Sequence, residues 1–178
     1  MNILTKTKCY LVGHMQYGDG TMWRNEISKH LIEMGVLPLD PYKKPFIKDI
    51  DEGPDVRKKL EELLQNENYQ EVCRIFKNIR TYDLAMVDKS DFIIAYINPT
   101  VPTIGSIEEI VTAVRMKKPI FIFVEGTKKA CPLWIFGMIP HTYIFNTMDE
   151  VIVELKKINS GEVSIDENRW RLFKEEFR

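Results

Sequence analysis

Two short runs, Asp91–Ile97 (DFIIAYI) and Pro119–Val124 (PIFIFV), are almost unbroken in hydrophobicity. A strand with one wet face alternates apolar and polar residues. A nearly continuous run of this length reads as a parallel strand covered on both faces. Between the two runs, Ile107–Met116 places Ile107, Ile110, Val111 and Val114 on one side of a helix. Parallel neighbours need such a crossover, so the stretch reads as a β-α-β unit. Lys8–Gly13 (KCYLVG) is a third run of the same kind, Val36–Leu39 a shorter fourth, and Tyr143–Phe145 a short fifth strand. Met22–Met34 carries Trp23, Ile27, Leu31 and Met34 at helical spacing, with Gly35 as its stop. Met148–Ile158 carries Val151, Ile152, Leu155 and Ile158 in the same way. The fold class that follows is α/β: an open parallel sheet of about five strands with helices on both faces, of the Rossmann or flavodoxin kind.

The rhythm breaks at residues 43–80, where KKPFIKDIDEGPDVRKK is charged and holds Pro and Gly. Helical segments follow at Val56–Asn66 and Tyr69–Arg80. The stretch reads as a helical insertion or lid; a solvated decoration without function fits it equally well. Residues 164–178 end in a short amphipathic helix bearing Trp170, Phe173 and Phe177, which packs on its own domain or on a second copy. The 178 residues suit a single domain, and 44% hydrophobic content supplies its core. A formal charge of −1 gives no reason to expect a nucleic-acid polymer or an anionic membrane as partner. The first residues lack the pattern of a signal peptide, and no apolar run approaches the ~20 residues of a membrane span. Cys9, Cys73 and Cys131 lack C-x-x-C spacing, and His14, His30 and His141 are scattered, so free thiols in a reducing cytoplasm and no metal site are expected.

In an open parallel sheet, ligands bind beyond the carboxyl ends of the strands. The informative residues are therefore Gly13 and His14 after the first strand, Asp40 after the second, and Asn98 and Thr103 to Glu109 after the third. Glu125 and Gly126 follow the fourth. GHMQYGDG is neither G-x-G-x-x-G nor a P-loop. The Gly18–Thr21 turn and the Gly105-Ser106 helix start remain as anion or hydroxyl sites, since free amides and the helix dipole favour anions there. Arg24 is placed to pair with a phosphate, and a solvated position is its plain alternative. Ser106-Ile107-Glu108-Glu109 fits the S-x-x-E capping box, which would make Glu109 a structural residue. Glu108 reads as a solvated acid, and periodicity does not separate the two, because both flank the apolar face. Asp83 is a second candidate acid, with a helix interior as its plain reading.

These residues resemble the nucleoside 2-deoxyribosyltransferase family and its relatives that hydrolyse the N-glycosidic bond of nucleoside 5′-monophosphates. The likeness runs through Tyr10-Leu11-Val12-Gly13, Asp83-Leu84, Ser90-Asp91, Gly105 to Ala113 (GSIEEIVTA) and Lys118-Pro119. Its register selects Glu109, not Glu108. The resemblance implies that Glu109 attacks the anomeric carbon to form a glycosyl-enzyme, that Asp83 protonates or binds the departing base, and that Tyr10 steers Glu109. It implies a small nucleoside or nucleotide as ligand, no cofactor, and a homo-oligomer in which a neighbour completes the pocket, with Trp170 or Phe173 as candidates. Thr103 stands where the transferases carry an aspartate, so recognition of sugar or base differs. The other readings are a non-catalytic nucleotide-binding module of the same fold and, with least support, an interaction scaffold.

Overall fold

A computed structural model describes residues 2–15, 19–43, 54–163 and 169–170. The elements run β1 (Lys8–Val12), α1 (Asp19–Glu33), β2 (Leu37–Leu39), α2 (Pro54–Gln65), α3 (Tyr69–Lys89), β3 (Phe92–Ile97) and α4 (Ile104–Arg115). Then follow β4 (Ile120–Val124), α5 (Leu133–Phe136), β5 (Ile144–Phe145) and α6 (Met148–Ser160). The five strands form one sheet in the order β2-β1-β3-β4-β5, parallel at every pairing. The strand order reverses between β1 and β3, which is where a sheet of this class opens a crevice at its carboxyl edge.

The unbroken apolar runs have the cause expected of them. Every residue of β3 and β4 is buried. Leu11, Phe92, Ile94 and Phe121 face a layer made by α1 and α6, through Trp23, Ile27, Leu31, Val151 and Leu155. Tyr10, Val12, Ile93, Ala95 and Ile122 face the opposite layer, through Tyr82 and Met86 of α3 and Ile110 and Ala113 of α4. Each fully buried Leu, Ile or Phe contributes about 1.5–3 kcal/mol, so the two layers together fix which face each strand residue takes. Gly35 ends α1 with φ +75, and a Cβ there would lie 3.2 Å from the Thr5 side chain, so the stop at glycine has both a conformational and a packing cause.

Three expectations need correction. The helix expected to end at Arg80 continues to Lys89, because Tyr82, Met86 and Val87 bury against the sheet. The second half of α3 is thus a layer of the fold, and only its first half and α2 stand apart. Helix α1 begins at Asp19, so Asp19 to Thr21 form its first turn instead of a free turn before it. Trp170 is 1% exposed against Phe92 and Phe121 of its own domain, which removes it as a residue offered to a neighbour's pocket. Phe173, Phe177 and the 44–53 part of the expected lid lie outside the described residues.

Candidate active site

Tyr10 and Glu109 meet on the face of the sheet that α3 and α4 cover. Tyr10 sits mid-strand on β1 with its ring toward α3 and α4, 1% exposed. Glu109 lies on α4 beside the apolar stripe of Ile110 and Ala113, 6% exposed. The Tyr10 hydroxyl donates to Glu109 Oε1 at 2.6 Å. A carboxylate this buried is tolerated only with hydrogen-bonded partners, and an O–H to carboxylate bond is among the stronger kinds. Burial pushes the Tyr10 proton affinity well up, and the negative charge of Glu109, with that of Asp83 when it is ionised, pushes it further. Tyr10 is therefore a donor held in its protonated form. Asp83, half-buried on α3, lies within electrostatic reach of the same hydroxyl. Side chains from β1, α3 and α4 thus share one region.

The neighbouring Glu108 points elsewhere. Successive helix residues are about 100° apart, and this one rotation sends Glu108 to Arg80 on α3. Arg80 Nε donates to Glu108 Oε1 and Oε2 at 3.0 and 2.8 Å, and Nη2 also donates to Oε1. These bonds hold the Glu108 carboxyl below its usual range. The capping box does not form. Helix α4 starts at Ile104 with Thr103 as N-cap and no side-chain cap bond, so Ser106 already lies inside the first turn and Glu109 is engaged with Tyr10. Ser106 is buried, Thr103 is half-buried, and Gly105 is exposed with open space where a Cβ would stand.

Arg24 organises the segment after β1. It is 0% exposed, so neither the solvated position nor a side chain aimed outward at a phosphate describes it. Its Nε donates to Leu11 O at 3.2 Å, Nη1 to His14 O at 3.2 Å and Gly20 O at 2.6 Å, and Nη2 to Gly13 O at 2.7 Å. Burial lowers its pKa, and Asp40, whose Oδ1 is 4.0 Å from Nε, opposes that. Asp40 is itself buried, accepts from the Tyr42 amide and lies 3.6 Å from Lys43 Nζ. Gly20 is needed here, since a Cβ would come within 2.6 Å of His14 O. The His14 ring is buried with its centroid 5.3 Å from that of Tyr96. Asn98 accepts from the amide and hydroxyl of Thr100 in a local turn.

Tyr96 was not singled out from sequence, yet its hydroxyl donates to Glu125 Oε2 at 2.5 Å. The signal was present in the strand period, which puts Tyr96 on the face opposite Tyr10. Arg80 gave no local signal, because its partner lies on another helix. Burial raises the Cys9 thiol pKa, and that of Cys131 to about 11, so both stay protonated. Among the described residues no group of three or more His, Cys, Asp or Glu is arranged to hold a metal, and no helix is long and apolar enough to cross a membrane.

No protein-family model and no curated protein matches the sequence. Solved structures do. The 2-deoxyribosyltransferase of Bacillus psychrosaccharolyticus superposes with a TM-score of 0.56 at 16% identity, over 83% of this chain and 95% of that one. The Clostridium botulinum CMP N-glycosidase BcmB superposes with a TM-score of 0.47 at 19% identity, over 84% of this chain and 98% of that one. The likeness to the first of these shows that the chain has the 2-deoxyribosyltransferase fold.

Proposed function

We propose that the protein is an enzyme of N-glycosidic bond chemistry on nucleosides or nucleotides, with Glu109 as nucleophile, Asp83 as proton donor and Tyr10 as the group that orients Glu109. One observation carries the reading: a carboxylate, buried on α4, is held by a protonated tyrosine within reach of a second acid, at the strand-order reversal. In the first step a Glu109 oxygen bonds to C1′ while the bond from C1′ to the base nitrogen breaks. Its electron pair leaves with the base, and the Asp83 proton neutralises it. In the second step water, or the nitrogen of another base, bonds to C1′ and the ester to Glu109 breaks. The proton of that acceptor returns to Asp83. A carboxylate suits both steps, since the transition state at C1′ is oxocarbenium-like and positive.

Gly13, His14 and Asp40 stand at the carboxyl edge of β1 and β2, Asn98 and Thr103 between β3 and α4, and Gly105 and Ser106 in the first turn of α4. In this reading they line the substrate side. Arg24 fixes the backbone of Gly13 and His14 from beneath.

The test is chromatography of ribonucleosides, 2′-deoxynucleosides and their 5′-monophosphates after incubation with wild type or Glu109→Ala, with and without a free acceptor base. Base release by wild type alone supports the reading, and dependence on the acceptor distinguishes transfer from hydrolysis. A protein that gains melting temperature with a nucleotide but releases no base is a binding module, and the catalytic reading then fails.

A further inference from the structure

We infer that the Arg80–Glu108 ion pair is a positioning clamp that sets the spacing between Asp83 and Glu109; the inference rests on the glycosidic reading above. Arg80 is on α3 three residues before Asp83, and Glu108 immediately precedes Glu109 on α4. The pair therefore joins the two helices beside the two carboxylates. Elsewhere Tyr82, Met86 and Val87 of α3 share one apolar cluster with Ile110 and Ala113 of α4. The hydrophobic effect that drives such packing is non-directional and does not by itself select one orientation of the two carboxylates. A planar guanidinium engaging both oxygens of a carboxylate restricts distance and orientation together. Arg80 Nε reaches both Glu108 oxygens, at 3.0 and 2.8 Å, with Nη2 adding a bond to Oε1.

The exposure of the pair argues for geometry over stability. The side chains are 60% and 37% exposed, and pairs at that exposure contribute little to folding. Loss of the clamp is thus expected to leave the fold intact while widening the range of Asp83–Glu109 separations. A nucleophile and a proton donor acting on the same glycosidic bond are sensitive to that range, because misplacement by about 1 Å costs up to about 100-fold in rate.

The test compares Arg80→Met, Arg80→Lys, Glu108→Gln and the double variant Arg80→Met/Glu108→Gln by base-release kinetics and thermal melting. Each single variant is expected to lower kcat about two- to fivefold, which is as much as an exposed pair can supply, with KM within about twofold and the melting temperature nearly unchanged. The double variant is expected to lose no more than either single, since one contact is removed once. Arg80→Lys is the sharpest arm: it keeps the charge and loses the fork, so it should behave like Arg80→Met. Wild-type rates in Arg80→Lys, or effects of opposite sign in Arg80→Met and Glu108→Gln, would show an influence of charge alone and overturn the clamp. Unchanged kcat in all four variants overturns it too and leaves the glycosidic reading standing. Absence of base release from wild type sinks that reading and the clamp with it.

Discussion

Two tyrosines on neighbouring strands each hold a glutamate, on opposite faces of one sheet. Tyr10 donates to Glu109 at 2.6 Å, and Tyr96 donates to Glu125 at 2.5 Å. By length alone the pairs are equivalent. They differ in surroundings: Glu109 is enclosed between β1 and α4, while Glu125 is exposed beyond the end of β4. Water competes for an exposed carboxylate and screens its field, whereas a buried one acts on its neighbours through a low dielectric. Burial, more than bond length, separates the site from the surface pair.

Glu109→Gln should break this contrast most severely. The change keeps the shape and an acceptor for Tyr10 but removes the proposed nucleophile. Base release is expected to fall at least about 1,000-fold, with a thermal unfolding cost of about 1–3 kcal/mol from imperfect pairing of the buried amide. Activity surviving in Glu109→Gln, measured by the same chromatography, would reduce Glu109 to a structural residue. Asp83→Asn comes next, at about 100- to 10,000-fold for loss of the proposed proton donor. Its loss should be smaller for substrates whose base leaves readily without protonation. An equal loss across leaving groups would assign Asp83 to binding the base.

The fold was readable because its cause is local. Unbroken runs such as Phe92–Ile97 and Ile120–Val124 have few other uses. The site was only partly readable because its decisive contacts are not local. Glu108 and Glu109 flank the same stripe, and what divides them is Tyr10 on β1 and Arg80 on α3, both remote in sequence. The S-x-x-E pattern suggested a cap at Ser106, yet α4 starts earlier, at Ile104 after Thr103. Arg24 was misjudged for a related reason. A charged side chain reads as exposed, but four backbone carbonyls around the β1–α1 connection supply the partners that burial demands.

Tyr10→Phe sharpens the comparison through pH. Burial and the two carboxylates raise the Tyr10 pKa above its unfolded value of about 10. The folded state holds the proton more tightly. The stability this gives is complete below about pH 10 and is lost as pH rises from there through the folded value. Tyr10→Phe should be less stable at neutral pH by about 1–3 kcal/mol, because a buried Glu109 oxygen loses its donor. Its stability should also fall less steeply than wild type above about pH 10. The raised Cys9 pKa adds a similar slope from about pH 8.5, but it is present in both proteins and cancels in the difference. Urea titrations at pH 8 to 11 measure this directly, and parallel curves would remove Tyr10 as the group responsible.

The smallest effect belongs to Glu125→Gln. The Tyr96 hydroxyl keeps an acceptor in the amide oxygen, and the exposed NH2 is satisfied by water, so no buried group is left unpaired. Stability should change by less than about 1 kcal/mol, and base release should stay within about threefold of wild type. The Tyr96 ring itself is held by stacking on Phe123, with centroids 4.9 Å apart, and by the edge contact with Trp23 at 5.8 Å. Neither contact depends on the Glu125 charge. A loss of base release approaching that of Glu109→Gln would therefore mean that the carboxylate itself meets the substrate. Burial would then have misranked the two pairs, and the ligand would extend across the carboxyl edge of β3 and β4.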